Sequence, residues 1–245
     1  INNAFSQELI VDYLARERGL SRQQARSSLQ PIKLEVRYLY NQEVKSIWGM
    51  APGLVMFSLM IATPLLTALG VVREKERGSI YNIYSSTVTR MEFLVGKLSP
   101  YIFISSINAV ILWMVATFWF DVPFKGDLIF FFISSLVFVI CCTGIGFFVS
   151  LLVHTQMAAL IITIVVSTVP TFLFSGFITP VSSLSHSAQF QAHLFPGMYF
   201  TDIVRGGFLK GLGMEMLAEK LLALAVYTFI LLTMGYFLFC KRPQA

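Results

Sequence analysis

The sequence predicts an all-α membrane protein, and two observations support this class. Apolar residues make up 56% of the 245 residues and charged residues 13%, whereas soluble domains average roughly 45–50% and about 25%. The charged residues are also clustered, so several segments exceed the roughly 18 uncharged apolar residues that mark a membrane-spanning helix. A soluble helical protein with a very apolar core does not account for runs of this length. The five predicted spans cover about residues 53–72, 100–120, 128–153, 157–174 and 217–240.

A hydrophilic region, residues 1–50, precedes the predicted transmembrane domain of residues 51–245. Residues 11–29 have the pattern of an interrupted helix, and residues 32–41 alternate between apolar and polar side chains, which is typical of a short strand. We therefore expect a small α/β loop region here. The sequence starts at Ile1 rather than Met, and no apolar signal segment follows. We expect that a preceding part of the protein is missing.

The most distinctive stretch lies between the first two spans. Residues 73–77 read R-E-K-E-R and are all ionised at neutral pH. A bilayer core does not accept five charges, so this stretch must lie in water or among lipid headgroups. Apolar side chains then recur at three- and four-residue steps, which predicts an amphipathic helix over residues 79–96 on the membrane surface. These apolar residues are Ile80, Ile83, Tyr84, Val88, Met91, Leu94 and Val95.

A second distinctive stretch, residues 175–213, lies before the last span. It is moderately apolar, is interrupted by Pro180 and Pro196, and is too polar to cross a membrane. Non-helical backbone survives at membrane depth only where it is buried in protein or lines water. The stretch therefore predicts short helices that enter and leave the outer leaflet.

The distribution of basic residues near the predicted membrane ends gives the orientation. One side carries Arg73, Lys75, Arg77, Arg90, Lys97, Lys241 and Arg242, whereas the other carries Lys45, Lys125, Arg205 and Lys210. By the positive-inside rule, the first side and the C-terminus are cytoplasmic. The basic residues within residues 1–37 argue the opposite, but the rule is weak for a long polar region. The net charge of +5 reflects these loops and predicts no nucleic-acid partner.

No catalytic, cofactor or metal site is predicted in this chain. The Gly96-Lys97 pair lacks the other residues of a phosphate-binding loop, because Met91 and Leu98 stand where glycine and serine or threonine are needed. The histidines lack acidic or thiol partners at metal-binding spacing. Asn108 is the one strongly polar residue of the second span, and we expect an intramembrane polar contact there.

The charged stretch carries a resemblance to a known family. V-R-E-K-E-R-G-S followed by M-E-F-L-V-G-K-L-S-P-Y resembles the ABC-2 family of ATP-binding-cassette transporter permeases, which have an E-R-G-T after their second helix and an E…G-K…P-Y entry into the third. Residues 40–43 and 51–53 are similar to the Y-N-P-E and P-G that precede that second helix. Gln42 replaces the family's proline and Ser79 replaces its threonine. The similarity extends from about Val36 to the end of the chain.

This resemblance implies a fold, a set of partners and a mechanism. The fold is the ABC-2 transmembrane fold of type V exporters, with its first membrane helix missing before Ile1 and residues 1–50 forming a small extracytoplasmic α/β loop domain. An ABC ATPase, separate or fused, docks at the coupling helix 79–96 and binds ATP and Mg²⁺ itself, while this chain binds no cofactor. A second permease copy, identical or related, and a periplasmic adaptor are further expected partners. The coupling residues are Arg73, Glu74, Lys75, Glu76, Arg77, Gly78 and Ser79, and the outer gate comprises Phe177, Pro180, Phe195, Pro196 and Gly197.

The function implied is ATP-driven export of hydrophobic or amphipathic compounds across a bacterial inner membrane. The alternative is a membrane anchor or assembly domain of an ATPase complex, such as a fused ribosome-associated ATPase, without transport of its own. An intramembrane enzyme is disfavoured, because the interiors of the predicted spans contain no paired ionisable groups.

Overall fold

The computed structural model describes residues 12–13, 16–17, 46–78 and 89–238. The chain divides into two compact units, Ile1–Leu39 and Tyr40–Ala245. The strand predicted over residues 32–41 and the first ten residues of the predicted coupling helix lie outside the described residues. The described part is helical and contains no β-strand.

Five helices of the second unit are long and apolar enough to cross a membrane. Each of the five predicted spans lies largely within one of them. The five are α1 (Ser46–Glu76), α2 (Arg90–Met114), α3 (Leu128–Leu152), α4 (Gln156–Phe174) and α7 (Met214–Leu238), and α2 continues into a π-helical turn, Val115–Trp119.

Two helix boundaries differ from the sequence-based prediction. Helix α1 continues through the charged residues to Glu76, because charged side chains at a helix end can reach water without breaking the backbone pattern. The predicted coupling helix covers residues 79–96, but its last seven residues belong to α2, because Thr89 caps the start of that helix. Residues 90–96 are therefore the first turns of a spanning helix rather than the end of a surface helix.

Helices α1 and α3 form the centre of the bundle. More than half of the residues in their most apolar segments are buried, compared with fewer than a quarter in α2, α4 and α7. Met60 of α1 and Cys142 of α3 meet in the core, with their sulfur atoms 3.7 Å apart. Gly146 of α3 lies against Pro64 of α1, where an added Cβ would be 2.3 Å from the Pro64 carbonyl oxygen. Such backbone-to-backbone contacts are typical of small residues between membrane helices.

Short helices close one end of the bundle. They lie within residues 175–213 and comprise a 3₁₀ turn (Val181–Ser183), α5 (His186–His193), α6 (Pro196–Arg205) and a π-helical turn (Gly206–Lys210). The α2–α3 loop packs on the π-helical turn, because the N–H groups of Lys125 and Gly126 both donate to the Gly207 carbonyl, at 3.1 and 2.8 Å.

Candidate functional site: the charged knot and the aromatic cap

Residues 73–77, here called the charged knot, form the end of α1 and the turn after it. Three consecutive side chains of the knot bind three different helices. The Glu74 carboxylate forms an ion pair with Lys97 of α2. The Lys75 ammonium group donates to the Ser150 carbonyl of α3 and lies 3.5 Å from the Val153 carbonyl oxygen.

Glu76 binds the start of α4. One carboxylate oxygen accepts from the backbone N–H of Gln156 at 2.6 Å, and the other accepts from the Gln156 side-chain amide. Thr155 caps the same helix by accepting from the Ala158 N–H at 3.3 Å. Two of the first amide groups of α4, which have no partner within the helix, are thereby satisfied.

The charges of the knot match the helix ends that they contact. Lys75 lies at the C-terminal end of α3, where the helix dipole is negative, and Glu76 lies at the N-terminal end of α4, where it is positive. The α3–α4 turn, residues 153–155, is therefore held from both sides by two adjacent residues of α1.

The two arginines of the knot differ from the three residues between them. Arg73 and Arg77 are exposed, and no ion pair involving either is found in the described part of the chain. Gly78 has φ of 72°, and its N–H donates to the Lys75 carbonyl at 3.1 Å, so it ends α1 in the left-handed conformation that glycine tolerates. Of the predicted coupling residues, Arg73 and Arg77 thus remain available to a partner, and Ser79 lies outside the described residues.

The start of α2 packs beside the knot. Thr89 and Glu92 form a capping box, in which the Glu92 carboxylate accepts from the Thr89 N–H at 2.8 Å and the Thr89 hydroxyl accepts from the Glu92 N–H at 3.3 Å. Phe93 and Leu94 pack with Val71 and other residues in a buried cluster beside the knot. The E-F-L-V sequence therefore fixes the entry of α2 against α1.

At the opposite end of the bundle, several aromatic rings form what we call the aromatic cap. They come from α1, from α4, from the turn after α4 and from the residue before α6. The ring of Phe57 lies 4.7 Å from that of Phe172 and stacks at 5.6 Å on that of Phe177. Phe174 and Phe195 stack with their centroids 5.5 Å apart. These five phenylalanines define the cap: Phe57, Phe172, Phe174, Phe177 and Phe195.

The predicted gate residues lie in three places: this cap, the buried start of α6 and the surface. Phe177 and Phe195 belong to the cap. Pro196 and Gly197 are buried at the start of α6, and the backbone of Gly197 lies against Met56 of α1. Pro180 is exposed at the 3₁₀ turn, where its carbonyl accepts from the Ser183 N–H at 3.0 Å.

Arg205 forms contacts in this region that the sequence did not predict. Its guanidinium group donates to the carbonyls of Gly176 and Phe177, at 2.7 and 2.8 Å. Burial lowers the pKa of Arg205, while the charge of Asp202 opposes this shift. Asp202 itself pairs with Lys220 of α7 at 3.6 Å. The partners of Arg205 are 28 and 29 residues away in sequence, so no local pattern points to this contact.

In the described part of the chain, the buried polar side chains of the bundle are all serine or threonine. Asn108 is half-buried, and no hydrogen bond of its amide to another described residue is found. Three buried hydroxyls on α1 and α4 also lack a hydrogen-bond partner in this part of the chain; they belong to Thr63, Thr163 and Ser167. Among the described residues, no group of three His, Cys, Asp or Glu side chains could hold a metal ion.

Comparison with known proteins gives a consistent result. A family model described as "ABC-2 family transporter protein" matches residues 1–237. The chain is 29% identical over 180 residues to the "Probable multidrug ABC transporter permease YbhS" of Escherichia coli K12, which covers 74% of this chain and 48% of that protein. It is 27% identical over 210 residues to the permease YbhR of the same organism, covering 86% of this chain and 57% of that protein.

A more distant relative is "ABC transporter G family member 20" of Dictyostelium discoideum, which is 24% identical over 197 residues, or 80% of this chain and 27% of that protein. The chain spans about half the length of the bacterial relatives that it matches. No solved structure matches it significantly.

Proposed function

Because this chain belongs to the ABC-2 family of transporter proteins, we propose that it is the permease subunit of an ATP-driven exporter of hydrophobic or amphipathic compounds. Two bacterial relatives are named as probable multidrug permeases. The observation that carries the proposal is the charged knot. It carries two exposed arginines and also binds three other helices. A force applied to the knot therefore acts on four spanning helices at once.

The ATPase docks at this end of the bundle and binds ATP and Mg²⁺. Arg73 and Arg77 are four residues apart, on neighbouring turns at the end of α1, and both are exposed. Guanidinium groups form bidentate bonds with carboxylates, so the complementary ATPase surface is acidic. Glu74 and Glu76 do not serve this docking, because their carboxylates bind Lys97 and Gln156 within the chain.

The knot lies on the cytoplasmic side of a bacterial inner membrane, and the aromatic cap lies on the outer side. This orientation follows from the basic residues concentrated near the knot. The cap closes the outer end of the path until nucleotide binding in the ATPase rearranges the helices. A second permease copy completes the path, and it covers part of the exposed apolar surface of α2, α4 and α7.

The docking is tested by reversing the charge of the knot's exposed arginines. The permease carrying Arg73→Glu and Arg77→Glu is co-expressed with the ATPase from the same gene neighbourhood or reading frame. We expect the variant to reach the membrane but to retain less ATPase on purification, because like charges then face each other. Lys125→Glu is the matched control, since Lys125 is exposed at the opposite end of the bundle. Equal retention in both variants would contradict docking through the arginines.

Transport is tested separately, in inverted membrane vesicles supplied with ATP and a panel of lipophilic fluorescent dyes. Export predicts ATP-dependent, vanadate-sensitive dye uptake into vesicles that contain both subunits. Stable ATPase binding without movement of any compound would favour the alternative, a membrane anchor of an ATPase complex.

A further inference from the structure

Helices α1 and α4 run antiparallel and are joined at both ends. At the knot, Glu76 of α1 binds Gln156 at the start of α4. At the cap, the ring of Phe57 in α1 contacts that of Phe172 near the end of α4. The segment of α1 between Phe57 and Glu76 is roughly 28 Å long at a helical rise of about 1.5 Å per residue. The two contacts are thus separated by about the thickness of a bilayer core, roughly 30 Å.

No equivalent bond is found in the middle of this helix pair among the described residues. Thr67 directs its hydroxyl to the Thr63 carbonyl of its own helix at 2.9 Å, and Thr171 likewise bonds the Ser167 carbonyl. The hydroxyls of Thr63, Thr163 and Ser167 have no partner in the described part of the chain. In the part of the chain that the structure describes, directional bonds between α1 and α4 are therefore found at the knot end and not midway along the pair.

The polar contact at the knot is specific to one side chain. Its neighbours bind elsewhere: Glu74 pairs with Lys97 of α2, and Lys75 binds the carbonyl end of α3. Among the described residues, the hydrogen bonds that join the knot to α4 come from Glu76. A carboxylate at a helix N-terminus forms charge-assisted bonds with amide groups that otherwise lack partners.

We propose that Glu76 is a positioning residue that makes α4 follow α1, so that a displacement of the knot reaches the aromatic cap. The inference rests on the proposed function for the origin of the displacement. It assigns to Glu76 the transmission of movement, and to Arg73 and Arg77 the contact with the ATPase. Phe177 is the receiving group, because its ring stacks on Phe57 of α1 and lies 6.2 Å from the ring of Phe172 of α4.

The contact between Glu76 and α4 is tested without any partner protein, by amide hydrogen exchange of the permease in lipid nanodiscs. In Glu76→Ala, we expect exchange of residues 156–160 to rise by roughly fivefold or more, because the first turn of α4 then opens more easily. Glu76→Gln keeps an acceptor oxygen and should give a smaller rise. Glu74→Gln is the matched control, because it removes a charge from the knot but not the contact to α4. Unchanged exchange in Glu76→Ala would overturn the inference.

The transmission is tested at the cap. Ile178, an exposed neighbour of Phe177, is replaced by cysteine in a background with Cys141→Ala, Cys142→Ala and Cys240→Ala. The labelling rate with a water-soluble maleimide is compared with and without ATP and vanadate, in nanodiscs that contain the ATPase. We expect nucleotide trapping to change the rate several-fold in the parent and to leave it nearly unchanged in Glu76→Ala, while ATP hydrolysis persists.

The outcomes separate the two proposals. No response to nucleotide in the parent would contradict the proposed function. A response in Glu76→Ala equal to that of the parent would overturn the role of Glu76 alone. Loss of ATPase binding in Glu76→Ala would also overturn it, since Glu76 would then belong to the docking surface. If Glu76→Ala does not fold, Glu76→Gln is measured in its place and must show a reduced response.

Discussion

Gly146 lies where α3 and α1 touch backbone to backbone. A methyl group at this position would stand 2.3 Å from the carbonyl oxygen of Pro64 and 2.8 Å from its Cα atom, and backbone atoms cannot move aside as a flexible side chain can. We expect Gly146→Ala to destabilise the protein by about 1–3 kcal/mol, the usual cost of overpacking. The measurement is the thermal unfolding midpoint of the purified permease in detergent.

Gly144 provides the control for this prediction. It lies two residues before Gly146 on the same helix. The atom nearest to its new methyl group would be a Leu232 side-chain carbon, at 3.5 Å. This is ordinary van der Waals contact, so Gly144→Ala should leave the midpoint almost unchanged. Similar midpoints for the two variants would show that α1 and α3 can separate at Pro64 without loss.

At the scale of single residues, a sequence indicates an environment but not the partners that lie far away along the chain. The run of charges at residues 73–77 predicted a position outside the bilayer core from the cost of burying ions. That Lys75 and Glu76 bind within the chain was not predictable, because Ser150 and Gln156 are 75 and 80 residues away in sequence. The sequence-based interpretation assigned the acidic residues of the knot to a partner surface, whereas the structure pairs them with α2 and α4.

At the scale of elements, Arg205 joins α6 to the turn that follows α4. Its two hydrogen bonds end on carbonyls of Gly176 and Phe177, and bonds to a charged group contribute about 1.5–3 kcal/mol each. We expect Arg205→Met to lower the unfolding midpoint and to speed proteolysis within residues 175–185. Arg205→Lys, which has a single ammonium group in place of the planar fork, should recover only part of the loss.

Lys220→Met is the matched control for the Arg205 variants. Lys220 is also a basic residue at this end of the bundle, but it lies 3.6 Å from Asp202 and both side chains are partly exposed. Exposed pairs contribute little, typically about 0–1 kcal/mol. A loss in Lys220→Met as large as in Arg205→Met would show that general charge, rather than the two carbonyl contacts, stabilises this end.

The helices illustrate which signals a sequence carries at this scale. Run length placed the five long helices, because a spanning helix needs a continuous apolar segment. The start of α2 was misplaced, since the apolar spacing of three and four residues continues across Thr89 and hides the boundary. The capping box of Thr89 and Glu92 was nevertheless visible as the pattern T-x-x-E, and a search for caps within the periodic segment would have found it.

At the scale of the whole molecule, the two ends of the bundle are built from different interactions. The knot end uses ion pairs and helix-end contacts from three consecutive residues, 74–76. The cap end uses aromatic packing, the carbonyl contacts of Arg205 and one partly exposed ion pair, Asp202–Lys220. The charged knot end suits contact with a water-soluble ATPase. The aromatic cap end suits a closure that hydrophobic compounds can pass. The proposed direction of export rests on the basic residues concentrated near the knot.

The proposed direction predicts which end of the molecule a membrane-impermeant reagent can reach. Met91, near the knot, and Ile178, near the cap, are both exposed and can each be replaced by cysteine in a background without the native cysteines. In cells with a permeabilised outer membrane and an intact inner membrane, we expect an impermeant maleimide to label Ile178→Cys. Met91→Cys should react only after the inner membrane is opened, because the basic residues around the knot retain it on the cytoplasmic side. Labelling of Met91→Cys in cells with an intact inner membrane would invert the bundle, and the ATPase could then not reach Arg73 and Arg77.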